Sequence, residues 1–219
     1  MVTYETVRND ADIRALITRA DESLIALGYT EHSFAHVTYV AETAGRILAT
    51  LGYDGHYVDL VKIAGFLHDI GNLVNRKEHS QSGAVMAFTL LSKMGMPYDD
   101  IAVITTAIGN HDEGTGEPVS PLAAALILAD KCDVRRSRVR NPDFSASDIH
   151  DRVNYSVEES ALSISPETKE ITLALKIDTK YGPVMDYFEI FLSRMLLCRH
   201  DAIALGTTFR LTVNNQILL

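Results

Sequence analysis

The chain has 219 residues, 47% hydrophobic and 22% charged, with a formal net charge of -9 and two cysteines. This supplies apolar material for one sizeable core, or a domain with a small appendage, and excludes a disordered chain. The acidic balance argues against nucleic acid as the main partner, because Lys and Arg contacts to phosphate supply most of that affinity. No apolar stretch nears the roughly 20 residues of a spanning helix, which argues against a membrane.

The start, MVTYETVRNDADIRALITRADE, has neither the basic nor the apolar region of a signal peptide, so a cytoplasmic protein is expected. From about residue 8 to 140 the apolar residues recur at helical spacing: Ile13, Leu16, Ile17, Ala20 and Leu24, then Val37, Val40, Ala44, Ile47, Leu48 and Leu51. Gly residues in LGYT, LGYDG, HDIGN, KMGMP and GNHDEGTGEP are expected to close successive helices. Gly71 then stops a buried helix whose last turn holds His68 and Asp69. After Pro142 the texture changes. VNYSVEESALSIS and EITLALKIDT predict a hairpin, GPVMDYFEIFLSRMLLCRHDAIALG predicts one helix from Pro183 to Gly206, and TTFRLTVNNQILL predicts a last strand. The expected architecture is mainly α: an all-helical domain over 1–142 and a small α+β unit, β-β-α-β, over 143–219. Cys132 and Cys198 stand in no CxxC arrangement and are expected to be buried free thiols. The apolar 183–206 helix carries more hydrophobic surface than three short strands cover, which points to a homodimer.

A lone His-Asp pair says little, but His68 and Asp69 have company. His36, His79, His111 and Asp130 each sit beside apolar residues on a separate element. A buried imidazole or carboxylate is costly without a partner, and a shared cation is a common compensation. Mixed His and Asp donors suit iron, manganese, zinc, cobalt or nickel. Six donors exceed one tetrahedral ion with an open position and fit two divalent ions about 3.5 to 4 Å apart, bridged by a carboxylate and a hydroxide. Such a pair hydrolyses phosphate esters or anhydrides by acidifying a water and neutralising phosphoryl oxygens. No Walker A, GxSxG or HExxH sequence offers a competing route.

The order His36, His68-Asp69, His79, His111, Asp130 resembles the HD superfamily of metal-dependent phosphohydrolases over roughly residues 30 to 140. The resemblance implies the helical HD bundle. It also implies that His36, His68, Asp69 and Asp130 hold one metal, that Asp69 bridges to a second held by His79 and His111, and that Asp69 and His68 carry the catalysis. The implied substrate is a small phosphate compound, a nucleotide or dinucleotide. Spacing around EHSQSGA and LADKCDVRR is similar to HD hydrolases of diadenosine tetraphosphate. Cyclic di-GMP phosphodiesterases share HDIG but carry Lys at the place of Asn72 and a His pair at that of His111, and rank lower. The basic run KCDVRRSRVR offers Lys131, Arg135 and Arg136 as phosphate contacts, against salt bridges to the chain's own acids. His32, four residues before His36, would share its helix face and could add a contact at the centre, but is expected at the surface near the helix start. A nucleotide- or metal-sensing module built on the same domain is the alternative to an enzyme.

Overall fold

The computed structural model describes residues 2–140 and 149–219, and the chain divides into two compact units, Met1–Asp130 and Lys131–Leu219. The boundary expected at 142/143 lies outside the described residues, and the basic run belongs to the second unit.

The first unit is helical: α1 (Tyr4–Asn9), α2 (Ala11–Ala26), α3 (Phe34–Thr50), α4 (Gly55–Leu67), α5 (His79–Lys93), α6 (Tyr98–Gly109) and α7 (Pro121–Lys131), the last ending one residue into the second unit. Side chains of Asp10, Ser33 and Asp54 accept from backbone N–H groups in the first turns of α2, α3 and α4, satisfying donors that a helix start leaves open. α3 buries Val37, Val40, Ala41, Ala44, Ile47 and Leu48 along one face, whereas α4 buries a continuous run from Ile63 to Leu67. The two helices touch backbone to backbone: a Cβ on Gly65 would lie 2.7 Å from the Ala41 Cα. This close crossing brings His36 of α3 and His68, the residue after α4, to the same place.

The HDIGN segment departs from its sequence reading. α4 ends at Leu67, His68 caps it, and Ile70–Leu73 form a short 3-10 helix. Gly28, Gly52, Gly95 and Gly206 take the left-handed conformation expected of helix-closing glycines, but Gly71 and Gly109 do not, and α6 is closed by Asn110 at φ -109°. The role of Gly71 is proximity. A Cβ there would sit 2.0 Å from the His79 carbonyl oxygen and 2.5 Å from the Gly83 nitrogen, and one on Gly83 would lie 3.2 Å from the His68 carbonyl. Two facing glycines therefore seat the start of α5, with His79, against the His68-Asp69 turn.

The second unit holds α8 (Ile149–Ser156), β1 (Val157–Ser165), β2 (Glu170–Ile177), α9 (Val184–Ala204), β3 (Thr208–Val213) and β4 (Gln216–Ile217). Among the described residues the sheet order is β1-β2-β3-β4. β1 and β2 pair antiparallel, β2 and β3 pair parallel with α9 as the crossover, and β3 and β4 pair antiparallel. Leu162, Leu173 and Leu211 align across the sheet and are buried, while α9 buries Tyr187, Phe191, Met195, Cys198 and Ala202 at helical spacing.

Two corrections follow for this unit. The strand expected from Val153 begins at Val157, because residues 153–156 are the last turn of α8; over four residues, alternation and one helical turn look alike. The single last strand is a hairpin: Asn214 and Asn215 both have positive φ (51° and 67°), the two-residue turn whose twist matches antiparallel strands. The Asn214 side chain also bonds the Ile177 backbone at 2.8 and 3.0 Å, extending the β2 edge. The unit is thus β-β-α-β-β after α8. Cys132 and Cys198 are buried, free and 3.9 Å apart at sulfur, and their contact together with burial raises the Cys198 thiol pKa well above its ordinary value. No helix among the described residues is long and apolar enough to cross a membrane.

Gly71→Ala is expected to destabilise the chain by about 1–3 kcal/mol or more, because backbone atoms oppose the new methyl. Gly55→Ala, with nothing within 4 Å of its Cβ position, is expected to stay within about 0.5 kcal/mol of the parent or to be slightly stabilised. Urea denaturation of both variants checks the contrast.

Candidate metal centre

His36, His68, Asp69, His79, His111 and Asp130 converge within the first unit. His36, His68, His79 and His111 are 0–3% exposed and Asp69 5%. Asp69 is central. Its Oδ2 lies 3.3 Å from His68 Nε2 and 3.5 Å from His36 Nε2, and its Oδ1 lies 3.5 Å from His79 Nε2. Asp130 Oδ1 lies 3.4 Å from His36 Nε2 and 3.7 Å from His68 Nε2. The His111 ring meets those of His68 and His79 edge-on, each at 5.0 Å between centroids. Two groups, His36-His68-Asp130 and His68-Asp69-His111, bring their donor atoms within 4.8 Å of one another, close enough to share a cation.

The backbone sets the tautomers. Nδ1 of His68, His79 and His111 lies 2.8, 3.0 and 2.7 Å from the carbonyl oxygens of Gly65, Arg76 and Ile108. A carbonyl only accepts, so each Nδ1 carries a proton and Nε2 is the ring nitrogen turned toward the centre, the one with which each ring could hold a cation. The Nε2 of His68 is buried and makes no hydrogen bond, a deficit that a cation relieves. Burial works to raise the Asp69 pKa, but the imidazoles of His68, His32 and His36 outweigh it and hold the carboxyl well below the ordinary range. The donor set therefore offers an ionised carboxylate and oriented imidazole nitrogens, which fits a divalent transition metal.

Two residues around the centre, Asn72 and Arg76, were given no role by the sequence reading, and a third, His32, lies nearer to it than expected. Asn72 is 2% exposed, and its Nδ2 donates to both the carbonyl and the Oδ1 of Asp69 at 2.9 Å. Arg76 donates from Nη1 to Asn72 Oδ1 at 3.2 Å and comes within 3.8 Å of Asp69 Oδ1. His32, expected at the surface, is half-buried: its Nδ1 bonds the Thr30 carbonyl at 2.7 Å and its ring meets that of His36 at 5.4 Å. The available signal was position: Asn72 lies three residues beyond Asp69 and His32 one helical turn before His36.

The basic run sits in the second unit with partners there. Arg135 forms a two-pronged pair with the Asp133 carboxylate, to which Arg138 Nη1 also comes within 3.8 Å. Arg136 donates to the Tyr155 carbonyl and lies over the Tyr155 and Tyr181 rings at 4.6 and 5.3 Å. These contacts favour the salt-bridge alternative for Arg135 and a packing role for Arg136. Lys131 is 7% exposed at the end of α7.

Residues 33–135 match the family model described as HD domain. Ribonuclease Y of Fervidobacterium nodosum is 32% identical over 118 residues, 52% of this chain and 20% of that protein. The chain thus spans about a fifth of the ribonuclease Y relatives it matches. An uncharacterized protein of Methanocaldococcus jannaschii is 27% identical over 179 residues, 71% of this chain and 68% of that one. A crystal structure described as a predicted HD superfamily hydrolase from an uncultured Thermotogales bacterium aligns with a TM-score of 0.44 and 26% identity, over 60% of this chain and 73% of that one.

Asp69→Ala is expected to leave the purified protein with little bound metal at either group of donors, since the carboxylate faces both. Elemental analysis after reconstitution with manganese measures this. Metal content equal to the parent's would remove Asp69 from the centre.

Proposed function

Because residues 33–135 of this chain are an HD domain, we propose that it is a metal-dependent phosphohydrolase acting on a phosphoester or phosphoanhydride of a nucleotide or dinucleotide. The observation that carries this reading is the split of the Asp69 carboxylate, Oδ2 toward His36 and His68 and Oδ1 toward His79. On this reading His36, His68, Asp69 and Asp130 hold one divalent ion, and Asp69, His79 and His111 hold a second. Bound there, iron, manganese or a similar ion supplies Lewis acidity, which acidifies water and offsets charge on phosphoryl oxygens.

The chain's own groups do the rest. Asn72 aims Asp69 so that neither oxygen turns away from its set of imidazoles. The carbonyls of Gly65, Arg76 and Ile108 keep each Nδ1 protonated, so that Nε2 of His68, His79 and His111 is the nitrogen left to hold a metal. Burial among α3, α4, α5 and α6 excludes bulk water from the donors and strengthens their electrostatics. Of the basic run, Arg135 and Arg136 are engaged within their own unit, on Asp133 and on Tyr155 and Tyr181.

The ribonuclease Y relatives suggest RNA as a competing phosphodiester substrate. The net charge of -9 weighs against it, because RNA binding draws on basic surface. Homodimerisation belongs to the same proposal, supported by exposed Met185, Leu192, Leu196 and Ile203 at helical spacing on α9.

Manganese- or iron-loaded protein is expected to release phosphate or mononucleotide from at least one member of a panel of nucleoside mono-, di- and triphosphates, dinucleotides and cyclic dinucleotides. A chelator should abolish that turnover. Cleavage of short RNA alone would replace the nucleotide reading with the ribonuclease one, and binding without turnover would favour a sensor.

His111→Ala tests metal number. Bound metal is expected to fall from about two to about one per chain while circular dichroism is unchanged, because the helical core does not depend on the ion for folding. Parent protein that saturates with one ion would refute the two-metal arrangement.

A further inference from the structure

Arg76 stands beside the centre without serving as a donor to metal. It lies between the 3-10 turn and α5, and its two ends do different things. The carbonyl accepts from His79 Nδ1 at 3.0 Å, while the side chain turns back to Asn72 Oδ1 (3.2 Å) and to within 3.8 Å of Asp69 Oδ1. The guanidinium also lies over the Tyr29 ring, 5.7 Å from its centroid, and the side chain keeps 30% of its exposure. Among the described residues its hydrogen bonds use Nη1, so the Nε and Nη2 edge is available to a ligand.

We propose that Arg76 is a phosphate-binding arginine of this centre, gripping non-bridging oxygens of the phosphoryl group under attack. The inference rests on the phosphohydrolase reading and names a contact that the sequence pattern had assigned to the basic run.

Two physical arguments carry it. First, Asp69 does not need Arg76 for its orientation: Asn72 already bonds the Asp69 carboxylate at 2.9 Å, whereas Arg76 stops at 3.8 Å, beyond hydrogen-bond length. Second, the charge of Arg76 is permanent, since a guanidinium does not lose its proton in a protein. Its closeness to Asp69 is favourable while the carboxylate is bare, but a metal-loaded carboxylate already shares its charge with cations. An added guanidinium then raises the positive potential, and an anion between them lowers it. A phosphoryl group is that anion, and the planar fork of N–H donors matches its oxygens in pairs. Tyr29, 44% exposed, supports the guanidinium plane by a cation-π contact and limits its swing. Arg76, Asn72, Tyr29 and Asp69 all belong to the first unit, so this contact accompanies the metal donors wherever the second unit lies.

The test uses full-length protein loaded with manganese and inorganic phosphate as the probe, with binding measured by titration calorimetry at fixed ionic strength. Arg76→Ala is expected to weaken phosphate binding by about tenfold or more, as for loss of a charged hydrogen bond, and Arg76→Lys by less. Bound manganese and circular dichroism should match the parent's in both. Unchanged phosphate affinity in Arg76→Ala with manganese retained would overturn the inference and leave the phosphohydrolase reading standing. Loss of manganese in Arg76→Ala would also overturn it, by making Arg76 a positioning residue for Asp69. Parent protein that holds manganese and binds no phosphate would overturn both.

Discussion

Asp69 has to stay ionised at 5% exposure, and much of the first unit is arranged around that requirement. A buried carboxylate is expensive unless hydrogen bonds and opposite charge surround it. Asn72 supplies the hydrogen bonds, and the imidazoles of His36, His68 and His79 supply partners on two sides. Each of those side chains comes from a different stretch of chain, so satisfying one carboxylate ties α3, the end of α4, the 3-10 turn and α5 together. Without a cation the arrangement leaves a polar nitrogen of His68 unsatisfied.

The same residues also solve a helix-terminus problem. The last carbonyls of a helix have no intrahelical donor. At α4 and α6 the histidine just beyond the helix donates its Nδ1 proton to a carbonyl three residues back, His68 to Gly65 and His111 to Ile108. One hydrogen bond therefore completes the helix end, fixes the tautomer and points Nε2 at the centre. The glycines at 65, 71 and 83 serve this geometry by removing side chains where backbones meet, which is why α3, α4 and α5 approach closely enough for their donors to converge.

Charge pattern was the least dependable guide to function. The run from Lys131 to Arg140 is the most basic segment of an acidic chain, yet Arg135 and Arg138 converge on Asp133 and Arg136 is sandwiched against Tyr155 and Tyr181. A guanidinium follows the nearest buried acceptor, and Asp133 lies only two residues from Arg135. Arg76 drew no attention because it stands alone in sequence, and only the fold of HDIGNLVNR turns it back toward Asp69.

What the amino-acid sequence determined by itself was the helical first unit, the β-rich tail with its long helix, and six His and Asp residues of metal-competent chemistry, because hydrophobic periodicity and residue chemistry are local properties. Tertiary structure decided what depends on distance across the chain. It placed the two Asp69 oxygens on opposite sets of imidazoles, and it assigned Gly71 to close backbone approach and not to a left-handed turn. It set a half-buried His32 beside His36 and recruited Asn72 and Arg76 to the Asp69 carboxylate. It also split the last strand at Asn214 and Asn215, where positive φ at both residues turned a continuous β-rich run into a hairpin. Each of these outcomes depends on which backbone lies opposite, and a one-dimensional pattern carries no record of that neighbour.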